Sequence, residues 1–325
     1  MRRNLSSLRF WLILSMLAGL FFGAAGRSLA REEEAPSPAP LQAVDELNIV
    51  ISEFRFLGPE GGNDEFIELF NRSGRPININ GWKIMGASSD SNGSNRKTIT
   101  YAPDLEPGQH YLLVNEKASA GLISLKDDTY KTGITEDGGI ALTLADETTI
   151  IDQVGLSVGT VYKEGTPLTP LKGTANQSYE RKNAGNIYNC ADTDNNTADF
   201  VRNAASINPQ NLASPYTPCL VVTDVRSTSL DATYFPSQTI DIKVTFSSNV
   251  NVTGVPELYL ETGLVSTPAL YSSGSGSNEL IFKYTVAVGD SSVDLDYVNA
   301  NSLKLDGDSI TGAIGNATLI LPKPG

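Results

Sequence analysis

Asn63-Asp64-Glu65-Phe66-Ile67-Glu68-Leu69-Phe70-Asn71-Arg72-Ser73-Gly74 is the stretch on which the fold turns. It reads as a short strand with aromatic and aliphatic residues on both faces and carboxylates set into it. A polar Asn-Arg-Ser-Gly turn stops it. Ile49 to Leu57 before it and Ile77 to Met85 after it read as partner strands, the latter alternating apolar and polar residues at period two. The unit is the nucleus of a β-sandwich, and the chain reads as a carrier of such modules.

Working outward, Ser88 to Asn95 is a polar loop and Thr98 to Tyr101 resumes a strand. Pro107-Gly108 suits a tight turn, because Pro presets φ and Gly accepts positive φ. It feeds a strand at Tyr111 to Val114. Ile140 to Leu144 and Thr148 to Val154 read as a hairpin, and Asn183 to Pro218 as a long polar segment closing the first domain. A second β region begins at Leu220. Ile240, Ile242, Val244 and Phe246 share one face, as do Leu280, Phe282, Tyr284 and Val286. Shorter strands are expected at 257–260, 269–271, 293–297, 303–305 and 317–321, a spacing that argues for a second sandwich.

The composition agrees: 325 residues are comfortable for two domains, and 29 Gly and 17 Pro suit many strands joined by turns. The fold class is therefore all-β, with two β-sandwich domains in tandem at 46–218 and 219–325. A net charge of −13 without a basic run disfavours binding to a phosphate backbone, so no nucleic-acid partner is expected.

Residues 1–30 stand apart. Arg2, Arg3 and Arg9 precede the apolar run Phe10 to Gly23, and Ser28-Leu29-Ala30 fits a cleavage site, so this is a signal peptide. The run is too short for a comfortable membrane span, and the mature chain is expected to have none. Residues 31–45 are a linker in which Glu32, Glu33 and Glu34 repel one another and Pro36, Pro38 and Pro40 favour an extended chain. The chain is expected to be secreted or displayed on a cell surface. Export permits a disulfide between Cys190 and Cys219, worth roughly 3 kcal/mol by chain entropy; two free thiols are the alternative.

Several motifs share an order with a known family. Ile51-Ser52-Glu53, Asp64 to Asn71, Ile79 to Ile84, Leu105 to Gly108 with Tyr111 to Val114, Gly139 to Leu142 and Ile151 to Val154 follow one another. Gln177 to Arg181 and Asp192 to Phe200 close the set. Over residues 46 to 215 the chain resembles the lamin-tail domain in its bacterial form. That resemblance implies an immunoglobulin-like β-sandwich, no catalytic residues, and a setting in secreted and surface proteins, sometimes beside nucleases or phosphatases. Residues 220–325, with Val244-Thr245-Phe246, Val252 to Leu258, Tyr271 to Ser277, Phe282 to Val286, Gly289-Asp290 and Asp294 to Tyr297, are similar to the Ig-like or cadherin-like repeats of large bacterial surface proteins. Such repeats come in arrays, so a longer product continuing past Gly325 is expected.

Candidate chemistry is sparse. His110 is the single histidine, read as an ordinary strand-edge residue, and no GxSxG is present, so no enzyme is expected. Glu65 and Glu68, three apart in a strand, point to opposite faces. Glu53 and Glu68 read as cross-strand neighbours, which would raise one pKa; a role bonding loop amides or an Arg such as Arg55 or Arg181 is the expectation. Asp192, Asp194, Asn196 and Asp199 offer oxygens at alternate positions and are candidate calcium ligands, although Asp and Asn also cap turns. Asp290, Asp294 and Asp296 beside Asp306 and Asp308 form a second candidate cluster. Calcium aside, no cofactor is expected. Partners are expected to be an extracellular protein or a glycan, met by loops such as Ser88 to Asn95 and Ser272 to Ser277. Tyr111, Tyr188, Tyr216 and Tyr234 are weighed as glycan contacts against half-buried packing, and Trp82 reads as core. The lead reading is a non-catalytic, adhesin-like binding or scaffolding protein; the alternative is the accessory N-terminal region of a longer secreted nuclease or phosphatase.

Overall fold

The computed structural model describes residues 48–182, 190–204, 207–263 and 266–322, so the leader and the linker read at 1–45, and Tyr188, lie outside the described residues. The first region contains β1 (Ile49–Arg55), β2 (Phe66–Asn71), β3 (Lys83–Ala87), β4 (Ser94–Thr98), β5 (His110–Asn115), α1 (Ala120–Leu125), β6 (Asp128–Tyr130), β7 (Gly139–Thr143), β8 (Ile150–Gly155), β9 (Ser178–Arg181), α2 (Asn196–Asp199) and β10 (Phe200–Asn203). They form a six-stranded sheet, β10-β9-β1-β2-β5-β6, and a four-stranded sheet, β4-β3-β7-β8. Among the described strands of this region only β5 and β6 pair in parallel. Ile49, Ile51, Phe54, Ile67, Leu69 and Leu113 of the larger sheet share one core with Ile84, Ile140, Leu142 and Val154 of the smaller, and Trp82 joins it.

Every residue of β1, β2 and β5 is buried, because the larger sheet is covered on both faces. On its outer face Phe66, Leu112 and Val114 pack against Leu122 of α1 and Ile207. Val50 and Phe70 pack against Cys219 and Val221, where the chain enters the second region. Between these two apolar groups lies a polar strip, described below.

Two expectations are corrected here. Ile77 to Ile84 is not one strand: Ile77 makes a lone bridge to Leu105, and the chain turns at Asn80-Gly81 with Gly81 at φ 85°. The period-two pattern arises because Ile77 and Ile79 reach the core from irregular backbone. The strand expected at 98–101 begins instead at Ser94, inside the polar run, and Tyr101 at φ 63° follows its end. Its residues are polar because β4 is a sheet edge with Ser94 and Asn95 exposed.

Side chains close both flanks of the sandwich. On one, Lys97 of β4 meets Asp128 of β6 at 2.6 Å. On the other, Asn196 of α2 satisfies the free edge of β8, accepting from the Gly155 amide at 3.0 Å and donating to the Gln153 carbonyl at 3.0 Å.

The second region contains β11 (Val222–Ser227), β12 (Thr239–Thr253), β13 (Glu257–Tyr259), β14 (Pro268–Ser273), β15 (Ser277–Thr285), β16 (Leu303–Lys304), β17 (Ser309–Gly312) and β18 (Gly315–Asn316). They make one continuous sheet, β16-β13-β14-β15-β12-β17-β18, with β11 also on β12. The 15-residue β12 joins its parts: β15 pairs along one side, while β11 and then β17 share the other. The sheet wraps a core that includes Val244, Phe246, Leu258, Leu280, Phe282 and Ile310. The alternation read at Ile240 to Phe246 and Leu280 to Tyr284 is the burial observed. Val293 to Tyr297 is not a strand; only Tyr297 bridges, to Leu260, and Val293 is fully exposed.

A disulfide joins Cys190 to Cys219 at the junction of the two regions. The backbone also crosses closely here: a side chain at Gly108 would meet the Pro218 nitrogen at 2.3 Å.

Candidate functional site

The polar strip on the outer face of the larger sheet starts from register. Glu53 of β1 lies opposite Glu68 of β2 on one side and Glu180 of β9 on the other. Glu53 and Glu68 are both buried. Ser178 Oγ donates to Glu53 Oε1 at 2.5 Å and Ser52 Oγ to Glu68 Oε1 at 2.5 Å. From above, the amide of Asn208 donates to Glu53 at 3.2 Å and that of Gln210 to Glu68 at 2.5 Å. Burial pushes Glu53 up to about 7, and burial together with the Glu53 charge holds Glu68 well above the usual carboxylate range. The pair is thus the cross-strand neighbour read in the sequence, and loop amides are its partners. Neither glutamate pairs with Arg55 or Arg181.

His110 belongs to this strip. It is the first residue of β5, opposite Phe70 of β2, is 1% exposed, and neither ring nitrogen has a hydrogen-bond partner. Its Nε2 is 3.6 Å from Glu68 Oε1, its ring lies 4.7 Å from that of Phe70, and burial lowers it to about 4. It is therefore neutral at ordinary pH.

A second buried cluster centres on Arg181 of β9. Its Nη2 donates to Asp152 of β8 at 2.7 Å, its Nη1 to Asp192 at 3.1 Å, and its Nε to the Ile51 carbonyl at 2.9 Å. The guanidinium stacks over Phe200, 4.6 Å from the ring centre. Asp192 also meets Arg72 at 3.1 Å, and Arg72 donates to the Cys190 carbonyl. Burial pushes Asp152 up to about 6 against the pull of Arg181, and Glu164 up to about 9, helped by the Asp152 charge.

The four candidate calcium ligands fall around this cluster without converging. Asp199 accepts from the Thr193 amide and hydroxyl and from the Asn195 amide, as a turn cap. Asn196 faces β8, and Asp194 is exposed at φ 54°. Asp192 alone joins other carboxylates: one oxygen each of Asp152, Glu164 and Asp192 lie within 4.8 Å of one another. The cation bonded there is the Arg181 guanidinium, which occupies oxygens a metal ion would need. In the second region Asp290 is spent on Tyr284, Ala287 and Thr267, and Asp308 on the Val255 amide.

Two further buried carboxylates were not separable in the sequence from ordinary strand residues. Asp64 pairs with Arg55 at 2.6 Å and accepts the Ser119 amide. Glu65 accepts from Asn115, Tyr130 and the Ile134 amide, and burial pushes it up to about 7. Their place immediately before β2 is visible in the sequence, but it does not say what they bond. Among the tyrosines weighed as glycan contacts, Tyr111 is buried, Tyr234 half-buried and Tyr216 exposed; Tyr101 is almost wholly exposed.

Residues 42–157 match the family model of the Lamin Tail Domain. No curated protein and no solved structure matches the chain. The matched residues end after β8, before β9, α2 and β10, yet β9 completes the same sheet by pairing with β1. The first module is therefore similar to lamin tail domains, an immunoglobulin-like kind of module that fits binding or scaffolding. No helix among the described residues is long and apolar enough to cross a membrane.

Proposed function

We propose that the protein is an exported, non-catalytic binding or scaffolding protein of the cell surface or extracellular space, with an adhesin-like role. The observation that carries this reading is the use made of the buried ionisable groups. Glu53, Glu65, Glu68, Asp64, Asp152 and Asp199 each accept a backbone amide, so each fixes chain geometry and none faces an open cleft. A rigid sandwich with loops at its ends is a frame for recognition, since binding residues collect on loops held by a stable scaffold. The loop at 88–93 and the turn at 274–276 supply such ends. The N-terminal apolar run and its small-residue site support export.

The full chain, expressed in its own cells, tests this. Protein recovered outside the cytoplasm with an N-terminus at Arg31, retained by an extracellular protein or glycan surface and inert towards phosphoester substrates, is the expected result. A chain left uncleaved in the cytoplasm, or metal-dependent hydrolysis by the purified protein, overturns it.

A further inference from the structure

The segment 207–218 crosses the outer face of the six-stranded sheet as a strap. Three of its alternate amides are received by carboxylates rather than carbonyls: Asn208 by Glu53, Gln210 by Glu68, and Leu212 by Asp127 at 3.0 Å. Asp127 also accepts the Leu112 amide at 2.8 Å. Those acceptors come from β1, from β2 and from the turn before β6. Pro209, which lacks an N–H, sits between the first two donors. The strap itself contains no Asp, Glu, Lys, Arg or His. Charge beneath it therefore comes from the sheet: Glu53 on β1, Glu68 on β2, His110 on β5, Glu180 on β9, and Asp127 with Asp128 at β6. Arg55, the nearest cation on β1, is already bonded to Asp64. His110 lies against Glu68 but is uncharged and makes no hydrogen bond, so it does not neutralise the pair.

We propose that the strap is a proton-operated latch: protonated carboxyls under it keep it closed, and loss of those protons lifts it from the sheet. Two carboxylates in register on adjacent strands, both dry, repel each other once both are ionised. Lifting the strap lets water reach them and relieves both the repulsion and the desolvation. The closed form thus binds more protons than the open form, and opening is favoured as pH rises. The Asn208, Gln210 and Leu212 amides pull Glu53, Glu68 and Asp127 down, but burial raises each of them more, so the balance agrees with that direction. The Cys190–Cys219 bond ties the ends of the loop that contains the strap, so a lifted strap stays beside its site and can return. Opening would uncover Phe66, Leu112 and Val114, against which Ile207 now packs.

Amide hydrogen exchange on the intact, oxidised protein at pH 6 and pH 8.5, corrected for the chemical rate at each pH, reads the latch directly. Protection at Asn208, Gln210 and Leu212 is expected to fall at least tenfold at the higher pH, while Ile140 and Leu142 of β7 keep theirs. In Glu68→Gln, with Glu53→Gln as a second variant should the first not fold, the fall is expected to vanish. Unchanged protection in the wild type, an equal fall in a folded variant, or loss at β7 matching that of the strap each overturns the latch.

Discussion

Inside the first module the buried set includes Glu53, Arg55, Asp64, Glu65, Glu68, Asp152, Arg181 and Asp199; inside the second, the buried polar residues among those described are Thr262 and Ser302. The first module is held in register by polar keys, each fitting one backbone group or one opposite charge. The second is held by an apolar face and by the length of β12. A buried ion pair contributes little net stability against an apolar substitute, but removing one partner is expensive, because the other is left charged and dry. The two modules should therefore fail differently.

The sharpest way to break the comparison is Arg181→Met. It leaves Asp152 buried without its cation and Asp192 with Arg72 alone, and should cost the first module about 3–5 kcal/mol. Denaturant unfolding followed by Trp82 fluorescence should show its transition shifted, with exchange protection at Phe282 unchanged. A shift under about 1 kcal/mol would mean that the network is ornamental. Next, the double substitution of Cys190 and Cys219 by Ser should cost about 3 kcal/mol by releasing the closed loop. The first module and the junction should carry that loss, as calorimetry on the variant would show.

The third difference is in pH. Glu53 and Glu65 are held near 7 and Glu68 is raised, all above the unfolded value of 4.5. Their stabilisation is complete below that unfolded value and is lost as pH rises through the folded one. His110, lowered to about 4, works the other way: its contribution is full above 6.5 and lost on acidification. The two opposed effects overlap in mild acid, but above pH 6.5 only the glutamates act. Between pH 6 and 8 the first module should lose about 2 kcal/mol. Asp290 in the second module is lowered by the Tyr284 hydroxyl, so its contribution is lost only in acid. Between pH 6 and 8 thermal melts that resolve the two modules would show the first falling and the second flat; parallel slopes would refute the assignment. Smallest is Ile242→Val in the second core, expected to cost about 1 kcal/mol and to leave the first module untouched.

What could be seen beforehand follows the same division. In the second module Ile240, Ile242, Val244 and Phe246 alternate with half-exposed polar residues, so period two reports directly on burial. In the first, β1, β2 and β5 are buried on both faces, and alternation carries no information. There the motif order around Asp64 to Asn71 identified the module, and pairing its two strands set Glu53 beside Glu68. Arg181 and Asp152 are 29 residues apart in sequence, and nothing local marks them as partners. Asp192 to Asp199 looked like a cation loop because turn-capping and metal-binding draw on the same residue types. The two uses separate only when the acceptors' amide donors are known.

The disulfide also decides how the molecule carries load. Traction applied through the first module and drawn out through the second would pass from Cys190 to Cys219 across the sulfur bridge. The backbone between them, with α2, β10 and the strap, is bypassed like a slack parallel cable. A tether pulled in flow would thus leave that outer covering undisturbed for as long as the bridge stays oxidised.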